Sequence, residues 1–66
     1  MRSELRVMRI RKKLTQKEFA EKVGMSFQNY SKIELGRVDG TFKFWNKLQE
    51  VFEIPDEEMY KLMKNE

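Results

Sequence analysis

Two helix starts and two helix stops fall within the 22 residues from Thr15 to Gly36. Thr15 is an N-cap candidate, and Glu18 follows at the three-residue spacing of a capping box. Leu14 before the cap and Phe19 after it have the spacing of a hydrophobic staple. Gly24 suits the left-handed position that ends a helix, Ser26 can cap the next one, and Gly36 can close it. Phe19, Ala20, Val23, Met25, Tyr30 and Ile33 then form an inner side. Gln16, Phe27, Gln28, Asn29 and Lys32 face outward.

The rest of the chain extends this helical pattern. The apolar spacing from Leu5, running into Arg11-Lys12-Lys13, predicts a first helix over about residues 3 to 13, with Ser3 or a neighbour as its cap. Thr41 can cap a fourth helix, whose Phe42, Trp45, Leu48 and Phe52 recur every three or four residues on one face. Pro55 fits the opening of a fifth. Asp56, Glu57 and Glu58 suit its positive end. Met59, Leu62 and Met63 share one of its faces. No segment alternates as a strand does, and only Arg37 to Gly40 reads as a longer loop. The expectation is an all-α, five-helix domain over residues 1–66.

Such a chain has room for one small core. It contains no cysteine and no histidine. That excludes a disulfide framework and thiolate metal sites, along with the commonest general base and zinc ligand. Apolar packing must hold the fold, and eight aromatic residues supply bulk for it. Trp45, Leu48, Phe52 and Ile54 are most simply core. No cofactor, metal or small-molecule substrate is expected. No apolar run approaches the roughly 20 residues of a membrane span. The basic N-terminus lacks the apolar stretch of a secretory signal. The expected location is the cytoplasm.

The net charge of +3 is unevenly spread. Residues 1–37 hold ten Lys/Arg against four Asp/Glu, whereas residues 38–66 hold four against seven. A basic front suits a bound polyanion. A solvated mixture of charges would look the same by this measure.

Two short helices about a glycine are the layout of a helix-turn-helix, which sets its second helix in the major groove of DNA. Leu14, Thr15, Gln16, Phe19, Ala20, Val23, Gly24, Phe27 or Gln28, Ser31, Lys32, Ile33, Glu34 and Gly36 stand in one register. On these residues the chain resembles the phage-repressor-like helix-turn-helix domains, the Cro/C1 or Xre type, from about Leu5 to Met63. The resemblance implies a compact lambda-repressor-like fold that binds operator DNA as a homodimer. Three positions depart from the common pattern. Gly40 stands where many relatives have proline, Gln49 where a small apolar residue is frequent, and Lys13 where glycine is frequent.

The recognition helix would span 26–35. Gln28 near its start can pair both polar atoms of its amide with one adenine edge. Phe27 can pack on a thymine methyl, fold back over Met25, or meet a partner protein. Lys32 can reach guanine or a phosphate, or remain solvated. By resemblance, Gln16 anchors a phosphate or a flanking base. Ser26 and Asn29 are suited to backbone contacts, with Ser26 also a cap. Arg37, Lys43, and Arg11 or Lys12 are phosphate candidates. The resemblance also pairs Arg9 with Glu34, as a two-pronged ion pair that docks the first helix on the third. Met59, Leu62 and Met63 either cover the core or extend it to a second copy of the chain.

Sequence-specific regulation of transcription, as a repressor on a near-palindromic operator, is therefore the leading expectation. A protein-interaction module that kept the fold but lost base readout, an antirepressor or adaptor, is the alternative, with Phe27 as its support. Catalysis is not expected, because no Ser, Thr or Lys has an evident activating partner. An amphipathic membrane binder would need the apolar faces that the core requires.

Overall fold

The computed structural model describes all 66 residues. Five helices follow in order: α1 (Ser3–Arg11), α2 (Gln16–Lys22), α3 (Phe27–Glu34), α4 (Phe42–Phe52) and α5 (Asp56–Met63). There is no strand. α1 packs on both α3 and α5, and α2 packs on α3. Aromatic rings bring α4 into the same core. Phe19 of α2 stacks on Phe52 at 4.8 Å between centroids, and Tyr30 of α3 lies 6.3 Å from Phe44.

Local chemistry explains each boundary. Thr15 and Glu18 make a reciprocal capping box, with Glu18 N donating to Thr15 Oγ1 at 3.1 Å and Thr15 N to Glu18 Oε1 at 2.9 Å. These bonds hold the Glu18 carboxyl below its ordinary pKa. Ser26 and Thr41 cap α3 and α4 through their hydroxyl oxygens. Four helices end in the same way. A residue in the left-handed region is followed by an N–H that reaches back five residues: Leu14 to Arg9, Met25 to Ala20, Arg37 to Lys32, and Ile54 to Gln49. Glycine holds the left-handed position at Gly24 and Gly36. At the other two ends it falls to Lys13 (φ 59°) and Glu53 (φ 51°). No atom crowds the space beside Gly24, so backbone conformation alone calls for glycine there.

Two expectations about boundaries need correction, and Pro55 stands at the helix opening as expected. Ser3 does not cap α1; it is the first helical residue, and its hydroxyl donates to Glu66 Oε2 at 2.8 Å. α1 stops at Arg11, because the turn through Lys13 leaves the helical region. Pro55 precedes α5 as its N-cap, with extended backbone.

The core consists of Leu5, Phe19, Ala20, Val23, Tyr30, Ile33, Phe44, Trp45, Leu48, Ile54, Met59 and Leu62. Met8, Leu14, Met25 and Phe52 lie partly buried against it. α4 departs from its expected face. Phe44 is buried, while Phe42 is 82% exposed. At 3.6 residues per turn, Phe42 lies about 100° from the centre of the arc through Phe44, Trp45, Leu48 and Phe52.

On α5, Met59 and Leu62 cover the core of this chain, the first of their two expected roles. Of the three residues expected at a dimer contact, only Met63 is exposed.

The largest surprise is Arg2, which is 3% exposed. Its guanidinium donates from Nη1 to the carbonyls of Ile33 (2.7 Å) and Val38 (2.9 Å), and from Nη2 to that of Asp39 (3.3 Å). Its Nε donates to Met63 O at 3.0 Å, and the group sits 5.6 Å from the centre of the Trp45 ring. One side chain thus satisfies carbonyls at the ends of α3 and α5 and in the loop between α3 and α4.

Candidate nucleic-acid interface

The buried side of α3 is Tyr30, Ile33 and Glu34. Gln28, Asn29 and Lys32 are exposed on its other side, and Phe27, seven residues before Glu34, is exposed at the helix start. Phe27 is 44% exposed and Gln28 is exposed beside it, so both project from the first turn of the helix. Ser26 precedes them, and its Oγ accepts from Asn29 N at 3.2 Å. That bond occupies an acceptor site on the hydroxyl and leaves its proton to donate outward.

An ion pair fixes how this surface is held. Arg9 Nε lies 3.0 Å from Glu34 Oε2 and Nη2 lies 3.1 Å from Oε1, while Nη1 donates to Leu14 O at 2.8 Å. α1 is thereby tied both to the end of α3 and to the residue that opens the helix-turn-helix unit. Burial opposes ionisation of Glu34. Hydrogen bonding from Arg9, aided by Tyr30 and Gln16, outweighs it and holds the carboxyl below its ordinary value. The bond to Glu34 in turn raises the Arg9 pKa. The Tyr30 hydroxyl is buried beside this pair without a partner in good hydrogen-bond geometry. Burial, then the Glu34 carboxylate, pushes its phenol far above its usual value, so it stays protonated.

Gln16 is half-buried next to Glu34, at the junction of α2 and α3. Arg37 is exposed just past α3. Lys43 is exposed near the start of α4 and lines a groove of about 710 Å³ with Gly24 and Met25 of the turn. Lys47 lines the same groove. Sequence reasoning passed it over, although its four-residue spacing from Lys43 puts both on one face of α4. Arg2 left no such signal, because the carbonyls that it gathers come from distant parts of the chain.

The fold therefore brings Gln16, Ser26, Phe27, Gln28, Asn29 and Lys32 to the two helices of the unit, with Lys43 beside the turn. It places Met59 and Leu62 elsewhere, in the core. No three carboxylates gather to hold a metal ion, and no helix is long and apolar enough to cross a membrane.

Comparison with known proteins agrees with this geometry. The helix-turn-helix family model HTH_3 matches residues 5–59. No curated protein and no solved structure matches the chain. The match runs from Leu5 in α1 to Met59 in α5 and contains the α2–turn–α3 unit whole; the chain belongs to the Cro/C1-type helix-turn-helix family of DNA-binding regulator domains.

Proposed function

We propose that this protein is a cytoplasmic, sequence-specific repressor that binds a near-palindromic operator as a homodimer, with α3 in the major groove. One observation carries this reading: Phe27 and Gln28 stand bare on the first turn of a helix whose Tyr30, Ile33 and Glu34 are locked into the core. A recognition helix needs that combination, since base edges are read by side chains held in fixed register. Gln28 reads an adenine and Phe27 packs against a thymine methyl. Lys32 reaches guanine or phosphate from the next turn. Gln16, Ser26, Asn29, Arg37 and Lys43 set the register through the backbone. The domain comprises residues 1–66.

Selection of bound sequences from a random duplex pool tests this directly. The expected outcome is a near-palindrome with half-sites about one helical turn apart, on the order of 34 Å. Recovery of no preferred sequence would overturn it. The exposed Phe27 ring favours one second reading, a protein-docking module without base readout. That reading predicts equal affinity for all duplexes at every salt concentration.

A further inference from the structure

The two ends of α3 are held very differently. Phe27, Gln28 and Asn29 are exposed, and Tyr30 is the first residue of the helix to be buried. A first turn that must stay bare to read bases cannot be clasped, so its position has to be set from elsewhere. At the carboxyl end, carbonyl groups left open by the last turn are taken by two residues far away in the sequence. The Arg2 main-chain N donates to Glu34 O at 2.8 Å, and its Nη1 donates to Ile33 O at 2.7 Å. Asn65 Nδ2 donates to Gly36 O at 2.9 Å.

The segments that carry these two residues also hold one another. Arg2 Nε reaches Met63 O at 3.0 Å, at the end of α5. Asn65 uses both polar atoms of its side chain, because Oδ1 accepts from the Met1 nitrogen at 2.9 Å while Nδ2 serves Gly36. Glu66 N donates to Met1 O at 3.0 Å, and Ser3 Oγ donates to Glu66 Oε2 at 2.8 Å. Gly36 is shaped for this contact, since a β-carbon on it would collide with the Asn65 amide. The glycine that stops α3 is thus also the seat of Asn65.

We propose that Arg2 and Asn65 form a clamp that sets the angle of α3, which makes them positioning residues for base readout. The inference rests on the DNA-reading function above and adds residues that touch no base. Leverage supports it. α3 has eight residues and spans about 12 Å, so a tilt of about 10° at its clamped end carries the first turn through about 2 Å. A recognition site tolerates a displacement of only about 0.5 Å. The clamp is separate from the Arg9–Glu34 pair, which holds the same helix through a side chain. Residues 5–59, the span of the family match, contain Arg9 and Glu34 but neither Arg2 nor Asn65. This restraint therefore comes from segments on either side of the matched scaffold.

Affinities for the preferred duplex and for a scrambled one, together with amide hydrogen exchange of the DNA-free protein, test the clamp. Asn65→Ala removes the bridging amide and Arg2→Lys removes the planar fork, and neither changes the net charge. Asn65→Ala should lose about threefold to tenfold in affinity for the preferred duplex and little for the scrambled one. Arg2→Lys should lose at least as much at the preferred duplex. Asn65 is exposed, so its alanine variant keeps the fold, as helical circular dichroism will show. In that variant the amides of Leu35, Gly36 and Arg37 should exchange faster, while those of α2 keep the parent's rates. Unchanged exchange at the end of α3 would overturn the proposal, and so would a loss shared equally by the two duplexes. A parent that prefers no duplex would sink the functional reading and this proposal with it. A selective parent whose ratio of affinities survives both substitutions would sink this proposal alone.

Discussion

Arg2 Nη1 donates to the carbonyl of Ile33 at 2.7 Å, so the second residue of the chain holds the last turn of α3. The same guanidinium holds Val38 and Asp39, and α3 is thereby anchored at its carboxyl end independently of the Arg9–Glu34 pair. Removing the side chain takes a donor from the carbonyls of Ile33, Val38, Asp39 and Met63, of which Ile33 and Asp39 keep Gly36 N and Trp45 Nε1. Arg2→Ala should cost about 3 kcal/mol in chemical denaturation. Arg2→Lys should recover only part of this loss, because a compact ammonium cannot span the carbonyls that a planar fork reaches. An alanine variant as stable as the parent would show that these hydrogen bonds hold nothing.

Glu34 makes stability depend on acid. Its carboxyl titrates below the ordinary 4.5 when folded and at about that value when unfolded, so folding favours the ionised form. This contribution is complete above about 4.5 and disappears as the pH falls through the lower, folded value. Glu34→Ala, which leaves Arg9 without its partner, should cost about 3–5 kcal/mol near neutrality. Glu34→Gln should be destabilised less and should lose part of the acid-dependent slope. Denaturation midpoints measured between pH 3 and 7 would check both, and a glutamine variant with the parent's full slope would remove Glu34 as its source.

The left-handed ends at Lys13 and Glu53 carry strain that glycine would not. A non-glycine residue in that region costs roughly 1–2 kcal/mol, part of which glycine returns as lost chain entropy. Lys13→Gly and Glu53→Gly should each raise stability by about 0.5–1 kcal/mol. Gly40→Pro should do the opposite despite the frequency of proline in the family. Gly40 has φ +79°, which proline cannot adopt, and a β-carbon there would meet Trp45 Nε1 at 3.0 Å. Thermal melts of the three variants decide the matter.

At the DNA surface, stability and binding should separate. Gln28→Ala should leave the melting temperature unchanged and cost about 1–3 kcal/mol at the preferred site, with little effect on other duplexes. Arg37→Ala and Lys43→Ala should weaken all duplexes alike, each lowering the salt slope by about 1. Titrations at several salt concentrations distinguish the two patterns. Equal loss at every sequence for Gln28→Ala would exclude base readout by that residue.

Residues 15–36 were legible from the chain alone because their signals are local. A cap and its bond lie three residues apart, and a left-handed glycine acts on the turn that it ends. The exposed pair Gln28 and Lys32 followed from helical phase. What sequence reasoning missed had other causes. Phe42 and Phe44 trade places because the docking of α4 decides which arc turns inward, and Phe42 lies about 100° from the centre of that arc. Spacing along α5 left Met59 and Leu62 between core and partner contact, and the packing of α1 on α5 turned them inward. Arg2 is buried because carbonyls from α3, α5 and the intervening loop converge on one point. Helices and their caps are thus determined within a few residues, where the relevant atoms are neighbours along the backbone. Which faces remain bare, and which charge goes inside, were decided only when segments more than 30 residues apart came into contact.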